Sequence, residues 1–186
     1  MTAEAIVTEI LPAVITLDDL AAMNHVDTHG RRYEISPEGV LSVVPPPPGG
    51  HAVVGTRLTL WLCTEWPAEQ VMQTPGLRLR APEGVGGRIP DLVVWSRPQP
   101  EDVVWYDPDD VVLIVEIVSK GSEAIDRVVK VAEYAAAGIP QYWMVARDVA
   151  QTVTMHRLTG EGAYEVSAKV PLAWLLQTKP ADHGLN

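Results

Sequence analysis

The sequence predicts an α/β domain built on a mixed sheet, and three observations carry that expectation. Two apolar runs, DLVVW (91–95) and VVLIVEIV (111–118), have the length and β-branched content of buried strands. A helical pattern over 122–137 follows the second run, and a third apolar run, QYWMVAR (141–147), follows the helix. The order strand, strand, helix, strand requires at least one crossover between strands of the same sheet.

The remaining elements follow in chain order. LDDLAAMN (17–24) reads as a short helix with acids in its first turn and Asn24 near its end. RRYEIS and GVLSVV flank Pro37, Glu38 and Gly39, the pattern of a hairpin. The run PPPPGG (45–50) predicts a stiff surface connection, because proline lacks the amide donor that helices and central strands need. Val54, Leu58, Trp61 and Leu62 recur at helical spacing over 51–66, with Pro67 as a stop. QVMQT and LRLRAP predict a second hairpin around Pro75 and Gly76, and EGVGGR reads as a glycine-rich turn. The helix over 122–137 takes Ser122 as cap, Glu123 in its first turn and Gly138 as stop. QTVTMHRL (151–158) alternates in polarity as an edge strand does. The tail QTKPADHGLN (177–186) predicts a flexible or lightly tethered end. No internal repeat is visible, and 186 residues suit a single domain over 1–186, with its core at about 17–160.

Composition narrows the function classes. Hydrophobic residues make up 47% of the chain, so a packed core is expected. Its apolar runs all fall short of the ~20 residues that span a bilayer, and the acidic N-terminus is unlike a signal peptide. A cytoplasmic protein without membrane contact is the expectation. The single cysteine, Cys63, excludes an internal disulfide and a cysteine-rich zinc site. A formal charge of −10 argues against a broad basic face for nucleic acid. Any phosphate groove must therefore be local, with Arg78, Arg80, Arg88, Lys120, Arg127 and Lys130 as candidates. Each of these is also open to the plainer reading of a solvated surface charge.

The chemistry concentrates where acids interrupt the apolar runs. Asp91 heads one run, after Pro90, and Glu116 lies near the end of the other. An unpaired buried charge costs several kcal/mol, so each acid needs a partner. Two carboxylates on neighbouring strands, with a lysine close by, can hold a divalent metal against a phosphate. In the other reading, Asp91 is a turn acid and Glu116 pairs with a buried arginine. On an alternating strand Asp91 shares a face with Val93, and Glu116 shares one with Val118. Asp126, Lys130 and Tyr134 recur at i, i+4 and i+8 and line one face of the helix that follows Glu116. An exposed Asp126–Lys130 pair worth ~0.3–0.5 kcal/mol would explain that spacing equally well. Trp61, Trp95 and Trp143 sit in apolar periodic segments and read as core. The five histidines show no HExxH-type spacing.

PDLVVW, VVLIVEIVSKGS and DRVVKVAEYAAAGIPQYWMV, in that order, resemble the Uma-type restriction endonucleases. These form a bacterial branch of the PD-(D/E)xK nuclease superfamily. The resemblance extends more weakly upstream over RRYEISPEGVLSVVPPPPGGHAVVGTRLTLWL. It implies a restriction-endonuclease-like fold, in which a mixed central sheet is flanked by helices and joined by an N-terminal helix and β-hairpins. It implies a Mg²⁺-dependent endonuclease acting on DNA, with Mn²⁺ as a substitute metal. Asp91 and Glu116 would be the metal acids, with the Ile117 carbonyl as a third ligand. The superfamily pattern places a lysine two positions after the second acid, where this chain has Val118. Lys130 is assigned that role from the neighbouring helix, with Lys120 as runner-up. Asp126, Tyr134 and Ser119 would support the site, and Glu34 would join as an outer ligand, although an exposed strand acid is the plainer reading. His51 could orient substrate or metal, and a capping or surface role is the simpler alternative. A catalytically inactive nuclease-fold module that binds nucleic acid or protein is the competing function. A homodimer, through QTVTMHRL or the segment 69–81, would supply two sites for two strands.

Overall fold

The computed structural model describes residues 14–119 and 128–185. Helix α1 (Leu17–Val26) opens it and is held by a capping box, in which Thr16 and Asp19 each accept the other's backbone N–H. Asn24 ties α1 to the next strand, donating to the Leu20 and Tyr33 carbonyls and accepting from the Tyr33 amide. Strands β1 (Arg32–Ile35) and β2 (Leu41–Val44) form the expected hairpin, with Gly39 at φ +87° in its turn.

Helix α2 (Gly49–Leu62) starts two residues earlier than the proline run suggests, because glycine after Pro48 can enter the first turn. Only Pro45–Pro48 remain as the connection. Strands β3 (Val71–Gln73), β4 (Gly76–Ala81), β5 (Gly84–Arg88) and β6 (Leu92–Trp95) follow, with β7 (Trp105–Tyr106) and β8 (Val111–Ile117) after them. The second hairpin expected around Pro75 does not form. β3 pairs with β6 and β4 with β5, so the chain changes sheets at Thr74–Pro75. Thr74 takes a positive φ of 52° at this switch. The run EGVGGR is strand β5 rather than a turn. A Cβ on Gly87 would stand 2.8 Å from Leu17, 2.9 Å from Leu20 and 2.9 Å from Trp105, so only glycine lets the strand lie this close beneath α1.

Helix α3 (Lys130–Ala136) leads through Gly138, at φ +75°, into β9 (Gln141–Val145). The expected cap Ser122, Glu123, Lys120, Asp126 and Arg127 lie outside the described residues. Strands β10 (Thr152–Leu158) and β11 (Tyr164–Pro171) and the short helix α4 (Leu172–Leu175) complete the order.

Two sheets result. One runs β2-β1-β5-β4-β7, and the other β11-β10-β9-β8-β6-β3; β4 pairs with β7 and β8 with β9 in parallel, and the remaining neighbours are antiparallel. The β8–β9 pair is the crossover that the element order requires. β10 is interior, so QTVTMHRL is not the edge; β11 covers it, a strand whose alternation is too polar to stand out in sequence.

Alternation divides the six-stranded sheet into two cores. Leu92, Val94, Leu113, Val115 and Ile117 face Val54, Leu58, Trp61 and Leu62 of α2. Val93, Trp95, Ile114 and Val118 face β4 and Tyr134 of α3. Residues 177–185 are not a loose tail. Leu185 is buried, the Trp61 indole donates to the Thr178 carbonyl, and Gln141 donates to the Gly184 carbonyl. No helix of the described residues is long and apolar enough to cross a membrane.

Candidate active site

Pairing of β6 with β8 sets the geometry. Leu92 stands opposite Val115, which brings Asp91 and Glu116 to the same end of two neighbouring antiparallel strands. By the alternation of β8, Glu116 shares the face of Ile114 and Val118 and so points toward α3. There the Lys130 Nζ lies 2.8 Å from Glu116 Oε1 and 3.4 Å from Glu34 Oε2, and the Tyr134 hydroxyl donates to Glu116 Oε1 at 3.0 Å. Lys130 and Tyr134, one turn apart on α3, reach the same carboxylate oxygen, as i, i+4 neighbours can. Burial pushes the Tyr134 phenol well above its ordinary pKa, and the charges of Glu116 and Glu34 add to the effect. The hydroxyl therefore stays protonated and acts as a donor.

Asp91 is held from three sides. Oδ2 accepts the Ile117 amide at 2.8 Å and lies 3.0 Å from His51 Nε2 at the start of α2. Oδ1 accepts both terminal nitrogens of Arg32, each at 3.2 Å. Burial alone would raise the carboxyl pKa, but the His51 hydrogen bond, the Arg32 charge and the Ile117 amide outweigh it and hold the group below the usual carboxylate range. Asp91 is thus an anion. Burial also works against the Arg32 charge, yet the fields of Asp91, Glu116 and Glu34 prevail and raise its pKa.

Behind these groups lies a second set of buried ions. The Arg88 guanidinium, 1% exposed, grips both Glu133 oxygens at 2.6 and 2.7 Å and reaches Glu34 Oε2 at 3.4 Å. Glu34 Oε1 accepts the Ile89 amide at 3.0 Å. The five-stranded sheet is thereby tied through Arg88 to the helix that carries Lys130.

Arg32, Glu34, His51, Asp91, Glu116, Ile117, Ser119 and Lys130 line one cavity of about 40 Å³, with Ser42, Val44, Pro45 and Pro47. A larger cavity of about 230 Å³ adjoins it across His51, Ile117 and Ser119. The structure brings together Asp91, Glu116, Lys130, Tyr134, Ser119 and Glu34. Asp126 and Lys120 lie outside the described residues. Three expectations are corrected. Glu34 is 1% exposed rather than an open strand acid, because Arg88 and Lys130 satisfy it. His51 is neither a cap nor a surface group, since it contacts Asp91. The arginine groove does not form on β4 and β5: Arg88 is buried, and Arg78 and Arg80 both pair with Asp107. Sequence reasoning missed Arg32 and Glu133. The period-two placement of Arg32 and Glu34 on β1 was the available signal for Arg32, and the i+3 spacing of Glu133 from Lys130 was the signal for Glu133.

Residues 17–185 match the family described as "Putative restriction endonuclease", Uma2. The chain belongs to this family. A crystal structure described as a putative nuclease of DUF820 from Anabaena variabilis ATCC 29413 shares the restriction-endonuclease-like fold. Its TM-score is 0.55 at 18% identity, over 82% of this chain and 83% of that one. No curated protein matches the chain in sequence.

The donor set of this Uma2 site suits a hard divalent cation. Among the described residues no three His, Cys, Asp or Glu side chains converge as a ready-made cage. Asp91 and Glu116, two of the three carboxylates on this small cavity, with water and phosphate completing the shell, match the way Mg²⁺ is commonly held. At about 40 Å³ the cavity admits an ion and water rather than a nucleotide.

Proposed function

We propose that the chain is a Mg²⁺-dependent endonuclease hydrolysing DNA phosphodiester bonds, with Mn²⁺ as a substitute metal. The observation that carries this reading is the convergence of buried Asp91, Glu116 and Lys130 on one cavity at the end of the central sheet. Family membership supports the reaction class. Asp91, Glu116 and the Ile117 carbonyl would hold the cation, which supplies a water of lowered pKa and charge stabilisation at the phosphate. Lys130 positions that water or neutralises the charge growing on the phosphorane, and it serves the role of the usual lysine at Val118 from the next helix. Tyr134 fixes the Glu116 carboxylate by donating to Oε1, and His51 fixes Asp91 by its contact with Oδ2. Ser119 lies on the cavity wall, and Glu34 also holds Lys130, at 3.4 Å. Asp126, outside the described residues, is assigned the orientation of Lys130.

The partner is DNA, a homodimer would supply one site per strand, and the protein acts in the cytoplasm. Incubation with supercoiled plasmid in Mg²⁺ or Mn²⁺, beside Asp91→Ala, Glu116→Gln and Lys130→Ala, tests the reading. Cutting by the parent that all three variants lose is the expected result. Cutting that survives Glu116→Gln removes Glu116 from the site.

A catalytically silent binding module is the second reading, favoured by Val118 at the usual lysine position and by the formal charge of −10. It expects no cutting by any variant and no melting shift with metal. A metal that binds only the folded state at 1,000 times its dissociation constant would stabilise it by about 4 kcal/mol.

A further inference from the structure

We propose that Arg32 is a gate on the metal site: its guanidinium holds the cation-facing oxygen of Asp91 until a divalent ion takes it, and then binds the scissile phosphate. The inference rests on the metal-site reading above. Three observations carry it. First, the hydrogen bonds to Asp91 are partitioned between its oxygens. Oδ2 is committed to the Ile117 amide and His51, both anchored in regular structure. Among the described residues Oδ1 accepts only from Arg32, through two contacts of 3.2 Å, longer than charged pairs ordinarily adopt. Oδ1 is therefore the oxygen that can change partner at the least cost.

Second, Arg32 stands where a cation belongs. It is a strand-end residue lining the cavity, and the charges of Asp91, Glu116 and Glu34 all act on it. A guanidinium and a divalent ion compete for one carboxylate oxygen, because like charges a few ångströms apart repel in a poorly solvated site. Metal binding therefore weakens the Arg32–Asp91 contact.

Third, one donor of Arg32 is unused where it is, although a terminal nitrogen also reaches the Ile89 carbonyl at 3.5 Å. Its Nε is buried and has no hydrogen-bond partner among the described residues. A buried, unmade donor bond on a charged group is costly, and in a native site it calls for an explanation. The Arg32 side chain is 21% exposed and lines the cavity, so it has somewhere to turn. A guanidinium presents donors in a planar fork that matches two phosphate oxygens, and Nε belongs to one side of that fork. A phosphodiester at the cavity rim would satisfy Nε and one terminal nitrogen together.

The gate makes metal and DNA binding cooperative, since metal frees the arginine that phosphate uses. Calorimetric titration of Mn²⁺ alone into the parent and into Arg32→Gln and Arg32→Ala tests the first half without reference to cleavage. Both neutral variants are expected to bind Mn²⁺ at least tenfold more tightly than the parent. Affinity for a phosphorothioate duplex in Mn²⁺ tests the second half, and the same variants are expected to lose about tenfold there. If Arg32→Ala fails to fold, Arg32→Gln keeps a polar side chain of similar reach and carries the test. Mn²⁺ affinity unchanged or weakened in a folded variant overturns the gate, as does absence of Mn²⁺ binding by every protein. Duplex affinity equal to the parent's overturns the phosphate role. If the parent never cuts DNA yet the variants bind Mn²⁺ more tightly, the nuclease reading fails and the gate stands. If the parent cuts and Mn²⁺ affinity does not change, the gate alone fails.

Discussion

Replacing Glu133 with alanine strands a charge in the interior. Arg88, with a side chain 2% exposed, loses two contacts of 2.6 and 2.7 Å and keeps only Glu34 at 3.4 Å. Breaking one side of a buried ion pair costs about 3–5 kcal/mol, because the remaining charge is neither solvated nor matched. For a chain of this length 1 kcal/mol shifts Tm by ~2–4 °C, so Glu133→Ala should melt roughly 10 °C below the parent. Urea unfolding at pH 7 gives the free energy, and a thermal melt followed by circular dichroism gives the shift. Arg88→Met alone leaves Glu133 uncompensated and should cost a similar amount. The double variant Arg88→Met/Glu133→Leu removes both charges and should cost less than the sum of the singles by at least ~2 kcal/mol, the coupling expected of contacting groups. Additive effects, or a Glu133→Ala variant within about 1 kcal/mol of the parent, would refute the reasoning by showing that water reaches Arg88. The pair also fixes α3, so the variants should lower metal-dependent cleavage at temperatures where they remain folded.

Gly87→Ala should cost ~1–3 kcal/mol in urea unfolding, since its Cβ would press on Leu17, Leu20 and Trp105 at under 3 Å and one of them must move. Leu185→Ala should cost about 2–5 kcal/mol, as a buried leucine truncated in place leaves a cavity, whereas a free tail would make the change neutral. Stability should fall on acidification in two stages. Burial holds the His156 imidazole below its ordinary value, against the hydrogen bond to the Tyr142 carbonyl. The unfolded chain therefore binds this proton first, and stability drops as pH falls below about 6.5. A His156→Gln variant that keeps the same slope between pH 7 and 5 removes His156 as the cause. Asp91, held below the carboxylate range, gives its full contribution above about pH 5 and loses it as pH falls through the folded value, and Asp91→Asn should flatten that lower limb.

The strands that carry Asp91 and Glu116 were legible because a continuous apolar run is a strong local signal, and an acid inside one is conspicuous. The helix bearing Lys130 and Tyr134 was legible from its period. What the sequence hid was non-local. Val71–Gln73 and Gly76–Ala81 look like hairpin arms, yet nothing local says that the chain changes sheets between them. The glycines of EGVGGR carry the ordinary mark of a turn, and only the α1 residues pressed against Gly87 explain why a strand needs them. Glu34 and Arg88 have the composition of surface positions, as does the half-buried Arg32. Their burial follows from mutual neutralisation, which depends on four segments meeting and leaves no periodic trace. Asp91, His51 and Ile117 could be singled out from sequence, but Arg32 could not, nor could the meeting of β1, α2 and β8 on the Asp91 carboxylate.

Net charge and local charge are both negative here, but they differ in size, and the local one governs phosphate. The chain as a whole carries −10. Around the cavity, among the described residues, the cations Arg32, Arg88 and Lys130 face the carboxylates Glu34, Asp91, Glu116 and Glu133, so the cluster carries one net negative charge. Exposed charges beyond a Debye length of ~8 Å contribute little at physiological salt, while buried ones are hardly screened. One divalent ion would turn the cluster from net negative to net positive without any change on the rest of the surface. An acidic protein can therefore repel DNA in general and still accept one phosphodiester at this cavity, on condition that the cation is there first. The use of Asp91 Oδ1 by Arg32 fits the same order, because the positive group available to phosphate is released by the event that reverses the sign of the site.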